Sequence, residues 1–197
     1  MKKILTTIIC MFLVLSITGC NNSKVFNNTK DVNSNTGVGD NNDDTINSTK
    51  GIEVYVGQNI QYDDNYNISF LEANIVKSVE PTNPGQLYTH YVASDGNLYV
   101  VLKTVIKNLG TDAIKGDNIP KGKLIYNDKY KYTNSLITEK DDGSDLQNYY
   151  NFMSINPLSS ENIWYVFEVP EEVNTNTQAN LIVQYQINGK TYNVKIR

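Results

Sequence analysis

Side chains able to do chemistry are few in this sequence. One histidine and two cysteines occur in 197 residues, so Cys/His zinc sites and Cys-His or Ser-His catalysis have almost no material. His90 stands in Leu87-Tyr88-Thr89-His90-Tyr91, in a loop after Pro84-Gly85. As a general base it needs a nucleophile and an orienting group. Ser94 and Asp95 are near, but no Gly-x-Ser-x-Gly elbow accompanies them, so a surface histidine is the favoured reading. Glu139-Lys140-Asp141-Asp142-Gly143-Ser144-Asp145 offers oxygen ligands of the kind calcium takes, yet it reads first as a solvated loop between strands. The real surplus is tyrosine, 14 against five phenylalanines and one tryptophan. Tyr126, Tyr130, Tyr132, Tyr149 and Tyr150 gather around one predicted hairpin and its following loop. Two uses are open to them: packing with a wet hydroxyl, or an exposed face that stacks on sugar rings or anchors a protein. No metal or cofactor is expected.

Cys20 is the residue with a specific reading. Lys2 and Lys3 precede a mostly apolar run from Ile4 to Ile17, which ends in Ile17-Thr18-Gly19-Cys20. The run is short for a membrane span and has signal-peptide flanks. It resembles the lipobox of bacterial lipoproteins: aliphatic, small, Gly or Ala, then Cys. Ile17 stands where Leu is commoner. The resemblance implies that residues 1–19 are a signal peptide, cleaved before Cys20, and that Cys20 carries a diacylglyceryl thioether. Each buried methylene of such chains, palmitate for example, contributes about 0.8 kcal/mol. Two chains then hold the protein to the membrane on its extracytoplasmic side.

Processing changes the composition. Cys10 leaves with the signal peptide and Cys20 is consumed by lipid, so the mature chain has no free thiol and no internal disulfide. Loss of Lys2 and Lys3 takes the net charge from -4 to -6. That balance argues against a nucleic-acid partner, which needs a clustered basic surface.

Residues 20–50 are dominated by Asn, Asp, Ser, Thr and Gly, with isolated Val and Ile. They cannot bury enough apolar surface to offset chain entropy and read as a disordered tether. A flexible chain of that length has a root-mean-square reach of about 30 Å. Asp40 to Asp44 lack the alternating spacing and closing Glu of a calcium-binding loop.

Residues 51–197 read as one all-β domain. Leu98–Lys107 is a β-branched run, apolar on both parities through Val101, which predicts a mid-sheet strand. Ile163–Val169 is the most apolar late run, stopped by Pro170. Asn127-Asp128 predicts a two-residue hairpin turn, and Asn188-Gly189 a second between alternating runs. No helical stripe follows residue 51. Seven to nine short strands in this length predict a two-layer antiparallel β-sandwich.

The strand motifs add a resemblance. Leu98-Tyr99-Val100-Val101-Leu102-Lys103-Thr104-Val105-Ile106-Lys107-Asn108-Leu109-Gly110, the hairpin at Tyr126–Tyr130, and Ile163-Trp164-Tyr165-Val166-Phe167-Glu168-Val169-Pro170 are similar to the bacterial "domain of unknown function 4352" family. Leu158-Ser159-Ser160 departs from the Pro-Gly-Glu usual there. The resemblance implies an immunoglobulin-like sandwich and no established activity. Asn108 and Gly110 are read as supporting positive φ on leaving the strand, and Phe167 as facing the core. The functional expectation is a non-enzymatic binding module tethered to the membrane through Cys20, with an envelope protein or glycan as partner. The rivals are a structural spacer or surface antigen without a ligand, and a carbohydrate-binding lipoprotein using the tyrosine cluster.

Overall fold

A strand that is apolar on both parities must be covered on both faces. In the computed structural model, which describes residues 51–148 and 152–197, the Leu98–Lys107 run meets that condition. It forms β6 (Asn97–Asn108), inside a six-stranded sheet. The order is β11 (Leu146–Gln147), β10 (Ser135–Glu139), β13 (Ser160–Pro170), β6, β3 (Tyr66–Val76) and β2 (Asn59–Tyr62). Val100, Leu102 and Ile106 of β6 enter the main core, while Val101 enters a second cluster on the opposite side.

Facing it is a five-stranded sheet, ordered β1 (Ile52–Tyr55), β15 (Lys190–Lys195), β14 (Leu181–Ile187), β8 (Gly122–Tyr126) and β9 (Tyr130–Thr133). Leu181, Val183, Tyr185 and Ile187 of β14 all point into the core, as their alternation predicts. Tyr165 meets Tyr185 edge-on at 5.2 Å, and Phe70 lies 5.7 Å from the same ring. Two short ribbons complete the strands among the described residues: β4 (Ser78–Val79) with β5 (Tyr91–Val92), and β7 (Ile114–Lys115) with β12 (Ser154–Ile155). Helical structure among the described residues includes the short α1 (Glu172–Thr175) and a 3-10 turn at Gly116–Asn118.

The sandwich is antiparallel with one departure: β1 pairs with β15 in parallel. An alternating run does not encode strand direction, and β1 reaches its edge without a hairpin to fix it. The Asn188-Gly189 turn is as expected, with φ of 50° and 69° and Ile187 opposite Lys190. Asn127 and Asp128 also take positive φ, but Tyr126 pairs with Tyr130, so Lys129 joins the loop as a third residue.

Asn108 does not take the positive φ expected of it, and neither does Gly110. The amide is instead a buried bracket. Its Nδ2 donates to the carbonyls of Asp112 and Ile155 at 2.8 and 2.9 Å, and its Oδ1 accepts from the Gly110 N–H. The left-handed residue near this end is Leu158, at φ 65°. It occupies a turn closed by the Ser159 N–H on the Asn156 carbonyl. Phe167 is fully buried in the core, as expected.

Only Asn134 separates β9, in the five-stranded sheet, from β10, in the six-stranded sheet. The chain thus passes from the edge strand of one layer directly into the other. A one-residue link is too short for a crossover, so the segment bends between the layers.

Candidate functional site

The β8–β9 hairpin brings Tyr126, Tyr130 and Tyr132 together but at different depths. Tyr126 is 3% exposed, a member of the core. Its hydroxyl is buried without a hydrogen-bond partner in the described structure, so its ring is packing rather than a platform. Tyr130 is 46% exposed, stacks on Tyr126 at 6.1 Å, and has the Lys129 ammonium 5.0 Å from its ring centroid. Tyr132 is half-buried against the core. Burial raises its hydroxyl pKa, and the negative charge of Glu172 adds to that. Tyr149 and Tyr150 lie outside the described residues.

His90 is exposed, its ring 5.8 Å from that of Tyr88. Among the described residues no group of His, Cys, Asp or Glu is arranged to hold a metal. The acidic loop after β10 has a different task. Glu139 accepts the Thr82 N–H at 2.5 Å and Asp145 the Thr89 N–H at 2.7 Å. The Gly143 carbonyl takes the Asn83 N–H. Lys140 reaches Asp145 at 3.1 Å. The Thr89 N–H and the Lys140 ammonium hold the Asp145 carboxyl down to about 2. These bonds staple the loop after β4 over the six-stranded sheet. Beneath it Trp164, Val101, Ile137 and Val166 form the second apolar cluster, closed by Val79 and Leu146. Lys103 lies 4.4 Å over the Trp164 ring and pairs with Glu72.

The outer side of the five-stranded sheet is largely polar around the paired Ile125 and Ile182. Gln184 Nε2 donates to Asn193 Oδ1 and Gln186 Nε2 to Thr191 Oγ1, while Lys123, Lys131 and Thr133 are exposed. Where this face meets the strand switch, two clefts adjoin. One, of about 370 Å³, is lined by Lys121, Gly122, Lys123, Thr133, Asn134 and Leu136. Gly122 lines it without a side chain, and a Cβ there would come 2.9 Å from Val183 Cγ1 and 3.2 Å from the Tyr185 ring in the core. The other, of about 380 Å³, is lined by Tyr99, Lys131, Tyr132, Thr133, Ser135 and Glu168, with Val166 behind. Glu168 is fixed by the Ser94 N–H and Asn97 Nδ2, which hold its carboxyl below the usual range. Burial, then the Glu168 charge, raises the Tyr99 hydroxyl. Sequence reasoning placed Tyr132 in a candidate site but missed the lysines and Tyr99. Their signal was the Lys-x-Lys and Lys-Tyr-Lys-Tyr spacing on two paired strands.

One solved structure supports the fold. An uncharacterised β-sandwich protein of Clostridium difficile 630 superposes with a TM-score of 0.68 at 29% identity, covering 75% of this chain and 95% of its own. A conserved hypothetical protein of Bacillus anthracis gives 0.49 at 13% identity, over 72% of this chain and 94% of its own. A candidate lipoprotein of Bacillus subtilis gives 0.39 at 16%, over 69% of this chain and 37% of its own. No protein-family model and no curated protein matches the chain. The fold expected from the sequence is therefore the fold of this chain, and the strand-motif resemblance rests on its residues.

Proposed function

We propose that this chain is a lipid-anchored, extracytoplasmic protein whose β-sandwich holds a ligand or partner near the membrane without catalysing a reaction. The observation that carries the proposal is Ile17-Thr18-Gly19-Cys20 directly after a basic start and an apolar run. The polar stretch at residues 20–50 supports it, since a tether of about 30 Å reach lets a domain work clear of the lipid surface. The chemistry-bearing side chains support a binding role: His90 has a tyrosine ring beside it, and in the loop weighed for calcium Glu139 and Asp145 accept backbone N–H groups. We place the domain with the "domain of unknown function 4352" group on its two strand motifs.

Cells fed an alkyne palmitate analogue test the anchor. The wild-type chain takes up label and sediments with membranes; Cys20→Ala takes up none and appears in the medium. A Cys20→Ala chain that stays labelled and membrane-bound contradicts the proposal.

A further inference from the structure

We propose that the strand switch between the two sheets is a binding site for an acidic polysaccharide. Between residues 121 and 133 the chain carries Lys121, Lys123, Lys129 and Lys131 against a single Asp128, in a protein of net charge -4. Lys103, Lys140 and Lys195 each hold a carboxylate at 3.1 to 3.4 Å. No ion pair joins any of the four hairpin lysines to a carboxylate among the described residues. The patch is therefore an unneutralised positive field on an acidic molecule, which draws anionic ligands to one place.

Edge protection accounts for part of it, because exposed edge strands commonly carry lysine against misplaced pairing. It accounts for Lys129 and Lys131, on or beside the edge strand β9. It does not account for Lys123, which lies on β8, paired on both sides by β14 and β9, nor for Lys121 before that strand.

The shape selects the ligand further. The two clefts share Thr133 next to the bend, each at the small end of ligand-pocket size. Two adjoining clefts suit a chain of linked units better than one small ion. Their polar groups are hydroxyls and an amide, Thr133, Ser135 and Asn134, which exchange hydrogen bonds with sugar hydroxyls. Tyr99 and Tyr132, each partly buried against an apolar cluster, add ring surface at the second cleft, apolar surface of the kind that sugars pack on. Glu168 stays charged at its rim. It accepts from a hydroxyl and repels an anion, so the carboxylate or phosphate groups of the polymer seat toward Lys121, Lys123 and Lys131.

The inference deepens the reading of a tethered binding module, and its test does not depend on the lipid. The full lipidated chain, in neutral detergent, is run by affinity electrophoresis through gels containing polygalacturonate, its methyl ester, or poly(glycerol phosphate). Retardation by one of the two polyanions and not by the ester is expected, and the stronger one names carboxylate or phosphate. The Lys123→Ala, Lys131→Ala double variant should bind about tenfold more weakly. The Lys103→Ala, Lys195→Ala pair should bind as wild type. Unchanged affinity in the first pair, with an unaltered circular dichroism spectrum, overturns the site. Equal retardation by the ester does so too, as does lysine-dependent binding to anionic vesicles without retention by either polymer. A failed anchor appears in membrane fractionation and leaves the electrophoresis unaffected.

Discussion

On the outer side of the six-stranded sheet, Trp164, Val101, Ile137 and Val166 lie under the chain's own Val79, Tyr91 and Leu146. On the outer side of the five-stranded sheet, Gln184, Gln186, Thr191 and Lys123 are polar and at least partly exposed. The contrast follows from composition. A strand like β6, apolar on both parities, forces the chain to supply a roof, and the acidic loop supplies the bonds that hold it. A strand like β14, with amides between its apolar residues, needs no cover. Its face stays available, and the strand switch at its margin is where lysines and clefts collect. The roof is thus structural, and the strand switch, which Val166 and Tyr99 of the other sheet also reach, is where we propose that a ligand sits.

The comparison can be broken first at the roof. Trp164→Ala should cost about 3 to 5 kcal/mol, as for other large aromatic truncations in cores, measured by urea denaturation. A cost below 1 kcal/mol would mean that the second cluster is not a core. The next effect is a pH dependence. The Asp145 carboxyl titrates near 2 in the folded chain, below the usual value of about 3.9. Its contacts therefore stabilise the roof above about pH 4 and are lost as pH falls toward 2. Hydrogen exchange at the Thr89 amide should accelerate over that window in the wild type, and should be fast and pH-insensitive, after correction for intrinsic rates, in Asp145→Ala.

Smaller effects are expected beneath and on the open face. Tyr126→Phe removes a buried hydroxyl without a partner and should raise stability by about 1 kcal/mol. It should leave polyanion binding unchanged, because the ring is in the core. A loss of binding would return Tyr126 to the site. Gln184→Ala, on the open polar face, should change stability by less than about 0.5 kcal/mol. A cost comparable to that of Trp164→Ala would erase the difference between the faces.

Much of the fold was legible in the residues. β6 and β13 are long β-branched or aromatic runs, and Asn188-Gly189 fixes the last hairpin through its positive φ. The ribbons β4–β5 and β7–β12 escaped because two residues carry no periodicity. Leu71 is an apolar residue of β3, yet the register shifts between Phe70 and Glu72 and leaves it 55% exposed. A bulge changes which face a residue meets, and nothing in the local pattern announces it. The site was legible only in part. Tyr126, Tyr130 and Tyr132 stand on one hairpin, but depth depends on what the opposite sheet brings to each position. Tyr99 and Glu168 come from strands of the other layer, so their meeting with Lys131 follows from the strand switch. Asn108 was read as a backbone device; its buried side chain instead ties three backbone groups together.

The most direct test of a structural roof and a binding strand switch is amide mapping by NMR during titration with a short oligogalacturonate. Shifts are expected at residues 121–135 and at Tyr99, with the stapled loop from Thr82 to His90 unmoved. Shifts confined to that loop, with residues 121–135 silent, would contradict it.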